Sequence, residues 1–124
     1  MIELNKENFE AISKQRKLLV IDFWGQGCMP CVQYSPIFEN VAAMVEKDKE
    51  LSEKVVMVKC NVHDFYELGS SLGIRSIPTT HFSYAQIELN RFSGVANEQQ
   101  LLSGIKEVLE FIKQNQDKIE KELG

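Results

Sequence analysis

The chain contains the stretch Leu18-Leu19-Val20-Ile21-Asp22-Phe23-Trp24-Gly25-Gln26-Gly27-Cys28-Met29-Pro30-Cys31, which joins an apolar run to a pair of cysteines. Six of the first seven residues are apolar, with Asp22 as the exception, and this run with little alternation indicates a strand buried on both faces. Gly25-Gln26-Gly27 ends the strand. Apolar residues then recur at steps of four, three and four residues, which predicts one face of a long helix: Tyr34, Phe38, Val41 and Val45.

The two cysteines stand at the junction between that strand and that helix. The first turn of a helix offers unpaired N–H groups and the positive end of the helix dipole, and both favour a thiolate at Cys28. Only the thiolate attacks disulfides. Cys31 follows one helical turn later, close enough to attack a mixed disulfide. Pro30 suits the first turn because its missing N–H is no loss there. The motif therefore predicts thiol–disulfide exchange.

The main alternative for a Cys-x-x-Cys pair is half of a zinc site. Cys60 and His63 supply a second pair with ligand spacing, so four candidate ligands exist. Both pairs adjoin buried strands, however, instead of the tight turns that zinc sites favour. Alternation also sends Lys59 and Cys60 to opposite faces of their strand, so Cys60 faces away from any site that Lys59 faces. We therefore expect no metal, with Cys60 in the core and His63 on the surface.

The rest of the chain alternates helical and strand patterns. Leu4 opens a short apolar stretch, and Asn5 caps a helix that carries Phe9 and Ile12. Charge-rich residues 46–54 predict a helix end and a surface loop. The other predicted elements are a strand over 55–60, a short helix from Phe65 to Leu72 closed by Gly73, a hairpin of strands 79–83 and 87–92, and a helix with Leu101, Ile105, Val108 and Ile112 on one face. This βαβαβαββα order predicts an α/β fold, with a central mixed sheet and helices on both faces.

Two residues are unusual for the elements that contain them. Pro36 lies inside the long helix and should bend it, since proline removes one backbone donor. His81 lies in a predicted central strand, where a hydrogen-bonded core histidine fits better than a catalytic one. We expect both residues to be structural.

Length, charge and cysteine content narrow the class of protein. The 124 residues fit one domain, and a net charge of −4 leaves no basic surface for nucleic acid or an anionic membrane. The N-terminal residues lack an apolar signal core, and no apolar run reaches the length of a membrane span. Three cysteines fit one working pair plus one bystander in a reducing compartment. We therefore expect a cytoplasmic protein that binds neither nucleic acid nor membrane.

Several separate motifs resemble those of the thioredoxin family. Residues 20–31 are similar to the family signature V-D-F-W-A-x-W-C-G-P-C, which ends a central strand and begins a helix. Further matches run through Val58-Lys59-Cys60-Asn61-Val62, through Gly73-Ile74-Arg75-Ser76-Ile77-Pro78-Thr79, and to Gly94. The resemblance covers about residues 1–112 and implies a thioredoxin fold for that domain. Residues 113–124 are mostly charged or polar and predict a solvated helical extension, with docking of the extension as the alternative.

The resemblance implies catalytic roles for four residues. Cys28 would be the attacking thiolate and Cys31 the buried resolving thiol. Asp22 matches the family's buried acid, which accepts the proton of the resolving cysteine, and a carboxyl group in that apolar site should have a raised pKa. Lys59 would partner Asp22 and moderate this rise. The alternative for Asp22 is a purely structural acid within the strand.

The resemblance also implies a substrate groove beside the cysteines. Pro78 matches the family's cis-proline, which lies against the disulfide and keeps metal away from the thiols. The backbone of Ile77 would pair with an extended substrate segment. The residues expected to contact substrate are Trp24, Gly27, Met29, Pro30, Ile77, Pro78, Ser93 and Gly94.

The chain departs from the family pattern within this groove. Gly27 replaces the usual Trp before the first cysteine, and Met29 replaces the usual Gly between the cysteines. Ser76 and Ser93 stand where small or apolar residues are common. Loss of the indole removes a large flat contact surface, so we expect a less apolar groove and a different set of partners.

These features together predict a protein-disulfide reductase. Retention of Pro30 favours a reductant, since thioredoxins have low reduction potentials. The resemblance implies disulfide-containing proteins as substrates, a thioredoxin reductase or similar dithiol as electron donor, and a monomer. The chain has no Gly-x-Gly-x-x-Gly motif, so we expect no bound cofactor. The alternative function is an interaction module that holds one partner in the groove, with redox activity incidental.

Overall fold

The computed structural model describes residues 1–124 and centres on a four-stranded sheet. The elements in chain order are α1 (Phe9–Ser13), β1 (Leu18–Trp24), α2 (Met29–Lys47), α3 (Lys49–Lys54), β2 (Val55–Asn61), α4 (Tyr66–Ser71), β3 (Thr79–Tyr84), β4 (Ile87–Ser93), α5 (Glu98–Gln114) and α6 (Gln116–Leu123). The strand order is β2-β1-β3-β4. β1 is parallel to β2 and antiparallel to β3, which is itself antiparallel to β4. The predicted mixed sheet is confirmed.

The sheet separates two apolar cores, because β1 sends alternate side chains to its two faces. Leu18 and Val20 pack on one face with side chains of α2 and α5, among them Tyr34, Phe38, Val41, Leu101 and Ile105. Leu19, Ile21 and Phe23 pack on the other face with side chains of α1 and α4, among them Phe9, Ile12 and Leu68. Asp22 therefore shares the face that α2 covers.

The central helix and the hairpin also follow the predicted pattern. α2 buries the four residues expected from their spacing, and Pro36 lies inside it: the buried residues are Tyr34, Phe38, Val41 and Val45. β3 and β4 form the expected antiparallel hairpin. Ala85 and Gln86 join them with φ values of 47° and 71°. Such left-handed pairs are typical of tight hairpin turns.

The N-terminal segment is less regular than predicted. Its expected strand is a single parallel bridge, in which Glu3 pairs with Lys59 at the open edge of β2. The first helix begins later than expected, with Asn8 at its N-cap. Asn5 still makes the hydrogen bonds of the predicted cap, because its side-chain oxygen accepts from the amides of Glu7 and Asn8 and its carbonyl oxygen accepts from the Phe9 amide at 3.1 Å. These bonds form a turn before α1.

The charge-rich segment 46–54 is expected from its sequence to form a helix end and a loop. It contains a further helix instead of the loop. α3 begins after Asp48, whose Oδ1 atom accepts a hydrogen bond from the Leu51 amide at 3.0 Å. A carboxylate at this position satisfies one of the unpaired amides of the first turn. The segment therefore lies on the surface, as predicted, but it is helical, and no residue of α3 is buried.

The C-terminal extension is a separate helix and is only partly solvated. Asn115 separates α5 from α6. Ile119 is 6% exposed and belongs to the same core cluster as Leu18 and Tyr84, and Leu123 packs against that cluster. The prediction of a solvated extension is therefore wrong at Ile119, where one apolar side chain docks the helix. No helix of the chain has both the length and the apolar character of a membrane span.

We expect Ile119→Ala to lower the free energy of unfolding by about 2 to 3 kcal/mol, because it removes buried methylene and methyl groups. The loss cannot exceed the free energy that docks α6, since a terminal helix can detach locally. Urea unfolding followed by circular dichroism measures the change. Lys121→Ala, at an exposed position of α6, is the matched control. A loss no larger than that of the control would contradict docking through Ile119.

Candidate active site

The two cysteines lie at the start of α2. Cys28 is the N-cap residue, and its sulfur accepts a hydrogen bond from the Cys31 amide at 3.2 Å. Pro30 occupies the first turn. A disulfide joins the two sulfurs, with Cys28 half-buried and Cys31 only 4% exposed. The predicted junction of strand and helix therefore places Cys28 where free amides and the helix dipole stabilise a thiolate.

Two glycines shape the loop before Cys28 for different reasons. Gly27 has a φ of +76°, in the left-handed region that glycine adopts without strain. Gly25 gives room to the loop opposite, since a Cβ there would lie 2.8 Å from the Cδ1 atom of Ile77. Beyond the loop, Met29 is 70% exposed at the start of α2. The approach to Cys28 is therefore open on the Gly27 side and apolar at Met29.

The loop before β3 faces the cysteines. The Ile77–Pro78 peptide bond is cis, which confirms what the resemblance implied. The carbonyl oxygen of Ile77 lies 3.7 Å from the sulfur of Cys28. The Gly94 amide donates a hydrogen bond to the carbonyl oxygen of Pro78 at 2.9 Å. This bond connects the end of β4 to the loop. Four of the predicted site residues therefore lie close together: Cys28, Ile77, Pro78 and Gly94.

The groove beside this loop is partly polar. The Ser76 hydroxyl donates a hydrogen bond to the Ser93 hydroxyl oxygen at 3.2 Å, and both residues are exposed. A cavity of about 440 Å³ extends from Ile77 toward α4, and its lining includes Val62, His63, Tyr66, Ile74 and Arg75. The side of the groove formed by Ser76 and Ser93 is therefore polar. The side formed by the cavity offers both apolar and polar side chains to a substrate.

Asp22 is a buried acid beneath α2. It is 1% exposed, and neither carboxylate oxygen accepts a hydrogen bond from any group of the chain. Burial raises the pKa of Asp22 to about 7; the Lys59 ammonium opposes this rise, and the Glu3 and Glu39 carboxylates add to it. A carboxyl group that titrates near neutrality can take up and release a proton at physiological pH.

Lys59 stands beside Asp22 but forms its hydrogen bonds elsewhere. The two residues are direct neighbours in the parallel register of β1 and β2. The Lys59 ammonium donates hydrogen bonds to the Ser35 hydroxyl oxygen and, at 3.2 Å, to Oε2 of Glu39. It also lies 5.5 Å from the centroid of the Trp24 ring. Lys59 therefore acts on Asp22 through its charge, without a direct hydrogen bond.

Trp24 ends β1 and is half-buried beside Lys59. Its indole N–H donates a hydrogen bond to Oε2 of Glu3 at 3.0 Å. The backbone bridge between Glu3 and Lys59 holds this carboxylate at the edge of the sheet. A partly buried indole N–H commonly finds such a partner.

Sequence reasoning missed several residues that surround Asp22. Ser35 and Glu39 are four positions apart on α2, a spacing that puts them on one side of the helix. Their bonds to Lys59 span 24 and 20 residues, so only the assembled fold brings them together. The helix periodicity predicts Tyr34 as a core residue, and its hydroxyl also lies 2.7 Å from the Thr80 hydroxyl. Glu3 gave no sequence signal.

Of the second pair of candidate zinc ligands, Cys60 lies on the sheet face opposite the one that α2 covers. Cys60 is fully buried in the core that faces α1 and α4, and burial raises the pKa of its thiol to about 12. His63 is exposed. No three His, Cys, Asp or Glu side chains are grouped so that they could bind a metal ion. This arrangement contradicts the four-ligand zinc alternative.

His81 is a hydrogen-bonded core residue, as predicted. It is 2% exposed, and its Nε2 atom lies 3.0 Å from Oε1 of Glu88. Burial lowers the pKa of His81, and the Glu88 carboxylate opposes that change. Its ring packs edge-on against Phe23, on the sheet face opposite Asp22. His81 is therefore remote from the face that carries the acid.

Comparison with known proteins agrees with this geometry. A sequence model of the thioredoxin family matches residues 1–107. The chain belongs to the thioredoxin family. The putative thioredoxin 2 of Streptomyces coelicolor is 32% identical over 100 residues, which cover 81% of this chain and 69% of that protein. The thioredoxin of Ictalurus punctatus is 36% identical over 91 residues, which cover 73% of this chain and 79% of that protein.

Solved thioredoxin structures have the same fold. The structure of Fasciola hepatica thioredoxin has a TM-score of 0.72 at 28% identity and covers 86% of this chain and 98% of that one. The thioredoxin of Malassezia sympodialis has a TM-score of 0.71 at 25% identity, with coverages of 85% and 89%. Thioredoxins are thiol–disulfide oxidoreductases that need no cofactor and are reduced by thioredoxin reductase. This protein is accordingly a protein-disulfide reductase that works through Cys28 and Cys31.

Proposed function

We propose that Cys28 is the attacking thiolate of this reductase and that Cys31 resolves the mixed disulfide. The difference between the two sulfurs carries the assignment. Cys28 is half-buried and accepts the amide hydrogen bond at the helix N-cap, whereas Cys31 is 4% exposed. A substrate disulfide can therefore reach Cys28 first, at the sulfur whose surroundings favour the thiolate.

Disulfide reduction then takes two exchanges. The Cys28 thiolate attacks one sulfur of the substrate disulfide, the substrate S–S bond breaks, and the released sulfur takes up a proton. Cys31 loses its proton and attacks the Cys28 sulfur. The mixed disulfide breaks, the second substrate sulfur leaves as a thiolate that is then protonated, and a Cys28–Cys31 disulfide remains. Two electrons pass from the protein dithiol to the substrate.

Asp22 accepts the proton that Cys31 loses. Three observations support this role: the carboxyl group is buried, it has no hydrogen-bond partner in the chain, and its pKa is about 7. An acid of this kind is half ionised near neutrality, so it can act as a base toward Cys31. Lys59 moderates the basicity of Asp22 by its charge.

Substrate lies in the groove between α2, the cis-proline loop and the end of β4. An extended segment of the substrate runs along the backbone of Ile77, next to the Cys28 sulfur. The residues that contact it are Trp24, Gly27, Met29, Pro30, Ile77, Pro78, Ser93 and Gly94. Exposed Met29 supplies an apolar contact, whereas the hydroxyl of Ser93 and the bare backbone of Gly27 favour partners with polar groups at those positions.

The protein works as a cytoplasmic monomer in electron transport and cell redox homeostasis. A thioredoxin reductase, or a similar dithiol, returns the Cys28–Cys31 disulfide to the dithiol. The third cysteine supports a reducing compartment, since Cys60 is a free thiol in the core.

Reduction of insulin disulfides by dithiothreitol tests this function. We expect catalytic amounts of the protein to accelerate the reaction several-fold, because Cys28 exchanges faster than the small dithiol. Turbidity from the released insulin chains is the measurement, and protein alkylated at Cys28 is the control. A rate no faster than that of dithiothreitol alone would favour the interaction module over the reductase.

A further inference from the structure

The surroundings of Lys59 carry an inference beyond these roles, and it rests on the proposed role of Asp22. Lys59 and Asp22 occupy paired positions on adjacent strands and the same sheet face. An ammonium and a carboxylate placed in this way normally form an ion pair. Here the Lys59 side chain is 12% exposed, yet its ion pair is with Glu39. Other groups must therefore bind the Lys59 ammonium in place of the Asp22 carboxylate.

Two residues of α2 supply that attraction. Ser35 lies one helical turn after Cys31, and its hydroxyl oxygen accepts a hydrogen bond from Lys59. Glu39 lies one turn further, and its Oε2 atom accepts a second bond from Lys59 at 3.2 Å. The Ser35 hydroxyl also donates to the same Glu39 atom at 2.9 Å. The three side chains thus form a closed set of hydrogen bonds that does not include Asp22.

We propose that Ser35 and Glu39 are positioning residues that hold the Lys59 ammonium away from the Asp22 carboxylate. This arrangement keeps Asp22 a strong enough base to take the proton of Cys31. If Lys59 were free to bond Asp22 directly, the carboxylate would be stabilised and would accept a proton less readily. Ser35 and Glu39 do not touch the sulfurs; they act through Lys59.

Four charged or titratable groups face Asp22, so each must be considered in a test. Lys59 comes from β2, Glu3 from the N-terminal segment, and Tyr34 and Glu39 from α2. β3 contributes the neutral Thr80 hydroxyl, which is bonded to Tyr34. Loss of the Glu39 charge would by itself lower the pKa of Asp22. Ser35 carries no charge, so Ser35→Ala separates positioning from simple charge removal.

Carboxyl-carbon NMR titration of Asp22 in the oxidised protein provides the test. We expect Ser35→Ala and Glu39→Gln each to lower the pKa of Asp22 by about one pH unit, because Lys59 gains a direct bond to the acid. Glu50→Gln is the control, since it removes a carboxylate from an exposed lysine pair, with Lys54, that does not involve Lys59 or Asp22. We expect Ser35→Ala to have no such effect in a Lys59→Met background.

The same variants should shift the resolution step. We expect the acid limb of its pH profile to move to lower pH in Ser35→Ala, with a smaller rate above pH 7. An unchanged Asp22 titration in Ser35→Ala would overturn the proposal, even if Glu39→Gln lowered the pKa, because charge alone would then explain Glu39. An equal change in the Lys59→Met background would overturn it as well. The titration needs no substrate, so its result is independent of whether the protein reduces insulin.

Discussion

Cys31→Ser should accumulate a covalent complex with substrate, whereas Cys28→Ser should accumulate none. In the first variant Cys28 still attacks the substrate disulfide, but no thiol is present to resolve the product, so the mixed disulfide persists. In the second variant the Cys31 thiol is 4% exposed and lies a turn inside α2, out of reach of a protein disulfide. Both variants should lose essentially all insulin reduction. Non-reducing electrophoresis after mixing with a substrate protein measures the trapped fraction.

Cys60 provides an internal control for this experiment. It is fully buried, and burial raises the pKa of its thiol to about 12, so it should trap nothing at neutral pH. A Cys31→Ser, Cys60→Ser double variant should therefore trap as much as Cys31→Ser alone. Equal trapping by Cys28→Ser and Cys31→Ser would contradict the assigned order of attack. If the trapped complex disappears only when Cys60 is replaced, then Cys60, and not Cys28, is the sulfur that attacks the substrate.

The parts of the site that could be predicted from sequence are those encoded locally. The apolar run of β1, the glycines after it and the two cysteines lie within residues 18–31, and their order places a sulfur at a helix N-terminus. The spacing of apolar residues on α2 is equally direct, since the four residues that it selects all face the core: Tyr34, Phe38, Val41 and Val45. The cis bond before Pro78 came from the resemblance, because no local pattern specifies that isomer.

The missed features depend on contacts between distant segments. Ile119 is one of two apolar residues in a charged tail, and only its packing in the cluster that contains Leu18 and Tyr84 makes it a core residue. The partners of Lys59 were missed for the same reason. Strand alternation gave the correct face, but the choice between Asp22 and the α2 side chains depends on how the helix lies across the sheet.

Asp22→Asn should slow the resolution step by about a hundredfold near pH 7, the low end of what general base catalysis contributes. The first attack by Cys28 should change little, since the groups that favour a Cys28 thiolate are the amides at the helix N-cap and not Asp22. Stopped-flow decay of a preformed mixed disulfide, followed through Trp24 fluorescence, isolates the second exchange. An unchanged decay rate at pH 7 would remove Asp22 from the mechanism.

The same substitution should increase stability at alkaline pH, and this separates a functional acid from a structural one. The folded protein holds the Asp22 proton up to about pH 7, whereas an ordinary carboxyl group has a pKa of 3.8. The folded state therefore binds more protons between these values, and stability falls as pH rises through that range. Above pH 7 the ionised carboxylate costs about 4 kcal/mol.

Asn at position 22 removes that cost but buries an amide without a partner, at about 1 to 3 kcal/mol. We therefore expect the variant to be about 1 to 3 kcal/mol more stable than the oxidised wild type at pH 8, and less stable at pH 4, where Asp22 is neutral. Urea unfolding at the two pH values measures both differences. A variant that is less stable by the same amount at pH 4 and pH 8 would make Asp22 a structural acid. If Asp22→Asn is more stable only at high pH and also resolves the mixed disulfide slowly, the Asp22 carboxylate destabilises the fold and serves the reaction. The fold then keeps this charge in its core because Cys31 requires a base there.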